Sequence, residues 1–241
     1  MKLGRKAVKR DSRMLLVANY LTAVLPAPPP SVDWSKGQTF FGSMYNNTLG
    51  CCTIAGAGHA VQILSANAGA EATVSDNDIL KYYEQWDGYN PADPSTDQGG
   101  IELDVLNKWK AQGFAGHALD AYADVNVKNV TEIKQAINLF GGLYIGMEVP
   151  NFIMASIPTV WDVTANDGGI DGGHCVFVYG YDATGPQFIS WGSVYTMTWA
   201  FWAKYVDEAH ALLSPDFLGA NGLDPEGFNL AQLQADLADI K

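Results

Sequence analysis

The sequence is poor in cysteine, in long apolar runs and in basic residues beyond its first segment. Three cysteines in 241 residues cannot build a fully paired disulfide framework, which excludes a small disulfide-rich fold. No run approaches the ~20 apolar residues of a membrane-spanning helix, so we expect no membrane span. Internal repeats and low-complexity tracts are missing as well. The hydrophobic fraction of 48% and the aromatic fraction of 12% indicate a folded globular protein.

Positive charge is concentrated at the beginning of the chain. Residues 1–13 hold six Lys and Arg and one acid, a net charge of +5, whereas the other 228 residues hold eight lysines and 25 acids, a net charge of −17. Because phosphate neutralisation needs clustered Lys and Arg, we expect no nucleic-acid binding through the acidic body. The basic segment could dock on another acidic surface, on its own body or on an anionic polymer.

The first 30 residues form a region of their own. Residues 14–25 are apolar enough to suggest a signal-peptide core, but polar side chains interrupt them. These side chains are Asn19, Tyr20 and Thr22. We expect instead a short helix that starts near Asp11 or Ser12, followed by a stiff proline-rich linker at 26–30. The expected location is the cytoplasm or a particle into which the protein is incorporated.

Patterning divides the remaining chain into a helical half and a strand-rich half. Helices are predicted over 53–67, from 75, over 101–112, 131–137 and 200–213, and strands over 143–149, from 174, over 188–191 and 195–199. The sequence therefore predicts an α+β body with a helical lobe at 31–118 and a β-rich lobe at 119–213. An amphipathic tail helix is predicted within 214–241, packed on the body or on a neighbour.

Two motifs carry chemistry. The turn Asn46–Gly50 leads into a helix of small residues, and Cys52 stands at its start, where unpaired N–H groups and the helix dipole favour a thiolate. Far downstream, His174 heads a strand. A thiol at a helix start and a remote histidine are the parts of a cysteine nucleophile and its base. Cys51 could be the reactive thiol instead, and both thiols could be structural.

Other potential ligands lack a recognisable pattern. Cys175 is expected to line the substrate pocket, although a bridge from it to Cys51 or Cys52 is a further possibility. His59 lies on the Cys52 helix and is expected to be structural, while His117 and His210 belong to no motif. Because the paired-ligand spacings of zinc sites are missing, we expect no metal and no other cofactor.

The chain resembles papain-family cysteine peptidases over residues 28–205. The matching segments, in order, are Val32-Asp33-Trp34-Ser35-Lys36-Gly37, Asn46–Cys52, Gly99-Gly100, the helix and strand at 132–149, His174-Cys175-Val176 and Ser190-Trp191-Gly192. The resemblance implies a papain-like two-lobed fold, with the cysteine-bearing helix in one lobe and an antiparallel β lobe carrying the histidine. It implies Cys52 as nucleophile, His174 as base and Asn46 as oxyanion donor, and we expect substrate contacts from Gly99, Gly100, Cys175 and Trp191.

The chain also departs from the family pattern. Asn46 replaces a glutamine, Thr53 replaces an aromatic residue, and Leu49 replaces a cysteine, so the family's disulfide at that position cannot form. The asparagine that orients the histidine falls on Ile189 in one alignment and on Ser190 in another. Only Ser190 could hydrogen-bond to the ring, and loss of an orienting group weakens catalysis.

Three functions remain open on the sequence alone. The first is a thiol hydrolase that cleaves peptide or isopeptide bonds of a peptide or protein substrate. The second is a papain-like fold retained as a structural component of a virion or other assembly, with residues 1–30 and 214–241 contacting assembly partners. The third is a thiol amidase or acyl-transferase that acts on cell-wall or protein cross-links.

Overall fold

The computed structural model describes residues 1–12, 14–21, 27–36, 38 and 40–217. The helices among them are α1 (Cys52–Asn67), α2 (Asp76–Asp87), α3 (Glu102–Gln112), α4 (Val130–Phe140), α5 (Asn151–Ser156) and α6 (Trp199–Tyr205), with 3₁₀ turns at Val17–Asn19 and Pro94–Thr96. The strands are β1 (Val32–Asp33), β2 (Ala121–Asp124), β3 (Leu143–Pro150), β4 (Val160–Trp161), β5 (Ile170–Tyr181), β6 (Pro186–Ser190), β7 (Ser193–Met197) and β8 (Val206–Leu213). No helix in this part of the chain combines the length and apolarity needed to cross a membrane.

The strands form one sheet in the order β2-β8-β3-β5-β6-β7-β4, with β1 paired to β5. All neighbours are antiparallel except β4 and β7. Successive side chains of a strand point to opposite faces, so Val176 and Val178 of β5 join a core with α4 and α6. Cys175, Phe177 and Tyr179 join a second core with α1, α2 and α3. The predicted α+β class is confirmed.

Helix α1 is the element that carries Cys52 to the sheet. It is buried on nearly every side and packs across β5. Gly56 allows this close approach, because a Cβ there would lie 3.2 Å from the Cys175 sulfur. Gly58 makes room for the preceding loop, since a Cβ there would lie 2.5 Å from the Met44 sulfur. Glycine has a low helix propensity, so it lowers the intrinsic stability of α1, but a larger residue would prevent these contacts. The thiol-bearing end of α1 is thereby held beside β5, the strand that carries His174.

Local signals explain where the shorter helices begin. The Ser75 hydroxyl accepts a hydrogen bond from the Asp78 N–H, which caps α2 as the sequence predicts. Gly88 ends α2 in a left-handed conformation with φ of 80°. Helix α3 starts at Glu102, just after the glycine pair Gly99-Gly100. This start places a carboxylate next to the predicted substrate groove.

Two predicted helices are wrong in extent. The helix predicted over 200–213 ends at Tyr205, and residues 206–213 form β8 between β2 and β3. Both faces of this strand are covered, so its sequence lacks the alternation of a half-exposed strand and its Ala and Leu residues suggest a helix instead. The helix predicted from Asp11 or Ser12 is reduced, among the described residues, to one 3₁₀ turn. There the chain follows the edge of β2, where the Asp124 N–H donates to the Leu15 carbonyl.

The predicted tail helix falls almost entirely on residues 218–241, outside the described part of the chain.

Candidate active site

Cys52 is the first residue of α1, directly after Cys51 at the helix N-cap. Both thiols are fully buried, and none of the three cysteines forms a disulfide. The Cys51 thiol donates to the Met44 carbonyl oxygen at 3.4 Å, so it points back into the turn that precedes the helix. Burial raises the pKa of the Cys52 thiol to about 12. In this state Cys52 is a neutral thiol.

His174 lies on β5, opposite Met147 of β3, and its side chain is fully buried. Its Nε2 lies 2.7 Å from the Ser190 hydroxyl oxygen. The ring's other nitrogen, Nδ1, has no hydrogen-bond partner within the described residues. Burial, and then the positive charge of Arg5, lower the pKa of His174 to about 3. A neutral ring that donates Nε2–H to Ser190 leaves Nδ1 as a proton acceptor.

A two-residue hairpin sets the surroundings of the histidine. Trp191 and Gly192 connect β6 to β7, and their φ angles of 49° and 81° have the positive sign that a type I′ turn requires. The turn lays the Trp191 indole over His174, with ring centroids 4.7 Å apart and an interplanar angle of 22°. Ser190 is the residue before the turn and contacts the ring, whereas Ile189 packs in the helical core. Of the two alternatives from the sequence, Ser190 is therefore the one beside His174.

The groove beside these residues is filled by the chain's own arm, defined here as residues 1–12. The Gly4 and Arg5 N–H groups donate to the Gly173 carbonyl at 3.1 and 2.9 Å, and the Lys6 N–H donates to the Gly100 carbonyl at 2.8 Å. The Gly100 N–H returns a bond to the Gly4 carbonyl at 2.9 Å. The arm thus lies as an extended strand, parallel to Gly100 and antiparallel to Gly173. The predicted contact residues Gly99 and Gly100 both meet it.

The arm also contacts the predicted oxyanion donor. The Lys2 carbonyl oxygen accepts from the Asn46 side-chain amide at 3.3 Å and from the Trp191 indole N–H at 3.1 Å. Asn46 has a second contact to the Leu49 carbonyl at 3.1 Å. Gly4 lies so close to Gly50 that a Cβ on Gly4 would overlap the Gly50 carbonyl. A carbonyl group of an extended peptide is therefore already held by the Asn46 amide.

The Arg5 side chain leaves the groove and enters a set of acids, here called the carboxylate pocket: the buried Glu102 and Glu208 and the partly exposed Asp207. Its Nη1 donates to Glu208 at 2.6 Å and its Nη2 to Asp207 at 2.8 Å, while its Nε lies 4.0 Å from Glu102. Burial opposes the charge of Arg5, but the carboxylates, Glu102 first, raise its pKa further. Cys175 adjoins this pocket: burial, and then the charge of Glu102, raise the pKa of its thiol.

One group in the described residues could hold a metal ion. Glu102, Glu208 and His210 bring ligand-type atoms within 4.8 Å of one another. Two carboxylates and an imidazole suit a divalent cation chemically. The cation they hold here is the guanidinium of Arg5, which contacts both acids.

Comparison with solved structures identifies the architecture. The chain is similar to xylellain, a cysteine protease from Xylella fastidiosa, with a TM-score of 0.53 and 14% identity over 86% of this chain and 98% of that one. It is similar to the Carica candamarcensis cysteine protease CMS1MS2, with a TM-score of 0.56 and 16% identity over 76% and 98%. Digestive procathepsin L 3 of Tenebrio molitor matches with a TM-score of 0.57 and 14% identity over 83% and 74%. The chain has a papain-like fold.

At these identities the likeness concerns the fold and not the chemistry. No protein-family model matches the sequence, and no curated protein matches it either. The eight site residues predicted from the sequence all lie along the groove or beside the pocket that the arm fills. They are Cys52, His174, Asn46, Ser190, Gly99, Gly100, Cys175 and Trp191. Their catalytic and binding roles remain predictions.

Sequence reasoning missed the arm's place in the groove and the acids that receive it. Arg5, Glu102, Glu208 and His210 belong to no motif, and the last two lie on a segment predicted to be helical. The available signal was the charge separation between a +5 beginning and a −17 body. It favoured attraction between the two but carried no information about position.

Proposed function

We propose that this protein is a thiol hydrolase of amide bonds in peptides, with Cys52 as nucleophile and His174 as base, and that its arm keeps it latent. The observation that carries the proposal is the arm itself. A groove beside a helix-start thiol already holds an extended peptide through backbone hydrogen bonds to Gly100 and Gly173. Backbone hydrogen bonds of this kind bind peptides with little regard to sequence.

The proposed reaction starts with proton transfer within the thiol–imidazole pair. His174 Nδ1 takes the Cys52 proton, and the thiolate attacks the carbonyl carbon of the scissile amide. Charge on the carbonyl oxygen is stabilised by the Asn46 amide and the Cys52 backbone N–H. The imidazolium then gives its proton to the departing amine, and a water molecule, deprotonated by His174, hydrolyses the thioester. Ser190 holds the ring through Nε2 at 2.7 Å during both half-reactions.

The arm opposes this reaction in two ways. It fills the space where a substrate would lie, and it keeps Cys52 and His174 dry, so that the thiol pKa is about 12 and the imidazole pKa about 3. Such a pair stays neutral near pH 7. Departure of the arm admits water, which moves both pKa values toward their ordinary range and makes the thiolate accessible.

The test displaces the arm without altering the body. In Gly4→Val the new side chain overlaps the Gly50 backbone, and overpacking of this kind typically costs about 1–3 kcal/mol, so the arm should leave the groove about 5- to 150-fold more often. Iodoacetamide labelling with mass mapping should show a matching rise at Cys52 and no rise at Cys51 or Cys175. A labelled casein should be hydrolysed by this variant.

Two variants serve as controls. Ala7→Val adds bulk at an exposed arm position and should leave labelling of Cys52 unchanged. Gly4→Val combined with Cys52→Ser should be inactive on casein. If Cys52 reacts no faster than Cys175 in Gly4→Val and casein stays intact, the hydrolase proposal fails, and the structural alternative becomes the better explanation of the fold.

A further inference from the structure

The carboxylate pocket is built from three elements of the fold that converge on Arg5. Glu102 starts α3, Asp207 and Glu208 lie on β8, and Gly146 of β3 opens the space between them. A Cβ on Gly146 would come within 2.5 Å of a Glu102 oxygen and 2.8 Å of Arg5 Cδ. The pocket therefore exists because the residue facing it is a glycine.

The pocket is short of positive charge without the arm. Glu102 is fully buried, and burial, then the charge of Glu208, raise its pKa, which a hydrogen bond from Cys175 offsets only in part. Its nearest cationic groups are Arg5 Nε and His210 Nε2, both at 4.0 Å. Asp207 and Glu208 each bond to a different nitrogen of Arg5. When the arm leaves, these acids lose the guanidinium that approaches all three, while His210 stays 3.6 Å from Glu208 and 4.0 Å from Glu102. Buried carboxylates that lose a paired cation are costly.

We propose that the vacated carboxylate pocket binds the arginine side chain of a peptide ligand, which under the proposed function is the substrate. That this peptide is a substrate rests on the proposed function, but binding of its arginine does not require catalysis. Arginine fits better than lysine because three carboxylates approach three different nitrogens of one planar guanidinium. A lysine ammonium offers one nitrogen and cannot reach all three.

The geometry also fixes where the arginine stands in the ligand. Gly4, the residue before Arg5, lies against Gly50 next to the Cys52 helix, and its peptide pairs with Gly100 and Gly173. The pocket thus opens one residue away from the groove position nearest the thiol. A substrate should be cleaved within about two residues of its arginine.

The first experiment measures binding on the full-length Gly4→Val chain. Its probe is a fluorescein-labelled peptide that copies residues 1–9, with arginine, citrulline or lysine at the fifth position. Citrulline keeps the shape of arginine and removes its charge. Fluorescence anisotropy should give a dissociation constant about a hundredfold weaker for citrulline and about tenfold weaker for lysine.

The second experiment measures hydrolysis by the same chain. Internally quenched peptides with a single arginine, citrulline or leucine should give kcat/KM values that favour arginine about a hundredfold, with cleavage sites mapped by mass spectrometry. Glu208→Gln should lower the arginine preference at least tenfold. The matched variant Glu84→Gln, on the exposed side of α2, should leave it unchanged.

The outcomes separate the two proposals. Hydrolysis that is equal for arginine and citrulline overturns the arginine pocket and leaves the hydrolase proposal standing. Arginine-dependent binding without hydrolysis of any peptide supports the pocket and overturns the hydrolase. If the arginine and citrulline peptides bind equally well and no peptide is hydrolysed, both proposals are overturned. If Glu208→Gln does not fold, the peptide series on the unaltered pocket decides alone.

Discussion

His210 should make the stability of this protein fall as the pH rises above neutrality. Its ring is buried, with Nδ1 at 2.7 Å from an Asp124 oxygen and Nε2 at 3.6 Å from a Glu208 oxygen. Burial alone would lower its pKa, but hydrogen bonds to Asp124 and Glu208 and the charges of Asp124 and Glu102 raise the pKa of His210 to about 9. Folded His210 therefore carries a proton that the unfolded chain, with the ordinary pKa of 6.5, has already released at neutral pH.

The sign and size follow from proton linkage. A raised histidine pKa contributes stability that is fully present below pH 6.5 and is lost as the pH rises through about 9, a total of about 3 kcal/mol. Within that window the loss is about 1.4 kcal/mol per pH unit. Burial lowers the pKa of His59 to about 4 and that of His174 to about 3, so both are neutral in the folded and the unfolded chain there.

The assay is urea unfolding followed by tryptophan fluorescence, between about pH 7 and about pH 8. This range lies below the ordinary cysteine pKa of 9.0, so ionisation of the buried thiols in the unfolded chain changes the free energy of unfolding little. The free energy of unfolding should fall by about 1.4 kcal/mol across it. His210→Gln should lower stability and reduce the slope, leaving only the contribution of Glu102, whose pKa burial raises, whereas His59→Gln should keep the full slope. A flat profile in the unaltered chain would refute a protonated His210.

Three further predictions test the site and the core. Ser190→Ala removes the 2.7 Å contact with His174 and should lower peptide hydrolysis by the Gly4→Val chain by about ten- to a hundredfold; an unchanged rate would show that Ser190 does not position the ring. Trp161→Ala empties a fully buried site and should cost about 3–5 kcal/mol in urea unfolding; a loss below about 1 kcal/mol would contradict its place in the core. Ser75→Ala should cost about 1 kcal/mol in thermal unfolding and Ser75→Gly only a few tenths, and equal losses would argue against the cap.

The fold was most predictable where local chemistry and tertiary packing agree. The α2 cap at Ser75 and the apolar run of β3 are local signals, and the structure places both elements where these signals indicate. Strand β8 could not be predicted in this way. Its segment favours a helix locally, and only the neighbouring strands β2 and β3 make it extended.

The site was predictable in its thiol and imidazole but less so in its supporting groups. A shift of one residue along a strand moves a side chain to the opposite face, so the sequence could not choose between Ile189 and Ser190. The Trp191-Gly192 turn settles which one faces the ring. The pairing of Arg5 with its acids could not be predicted, because a sequence does not indicate which of its distant opposite charges come into contact.

The ion pair between Arg5 and Glu208 joins positions separated by 203 residues and ties the beginning of the chain to its last described strand. Ribosomal synthesis delivers Arg5 long before β8. Contacts of such sequence separation form late, because a very large loop must close. Until then Arg5 is without its partners on β8, Asp207 and Glu208. A copy that lacks β8 would keep only the arm's contacts with earlier residues, such as Gly100, Gly173 and Asp97, so its arm should be held less firmly.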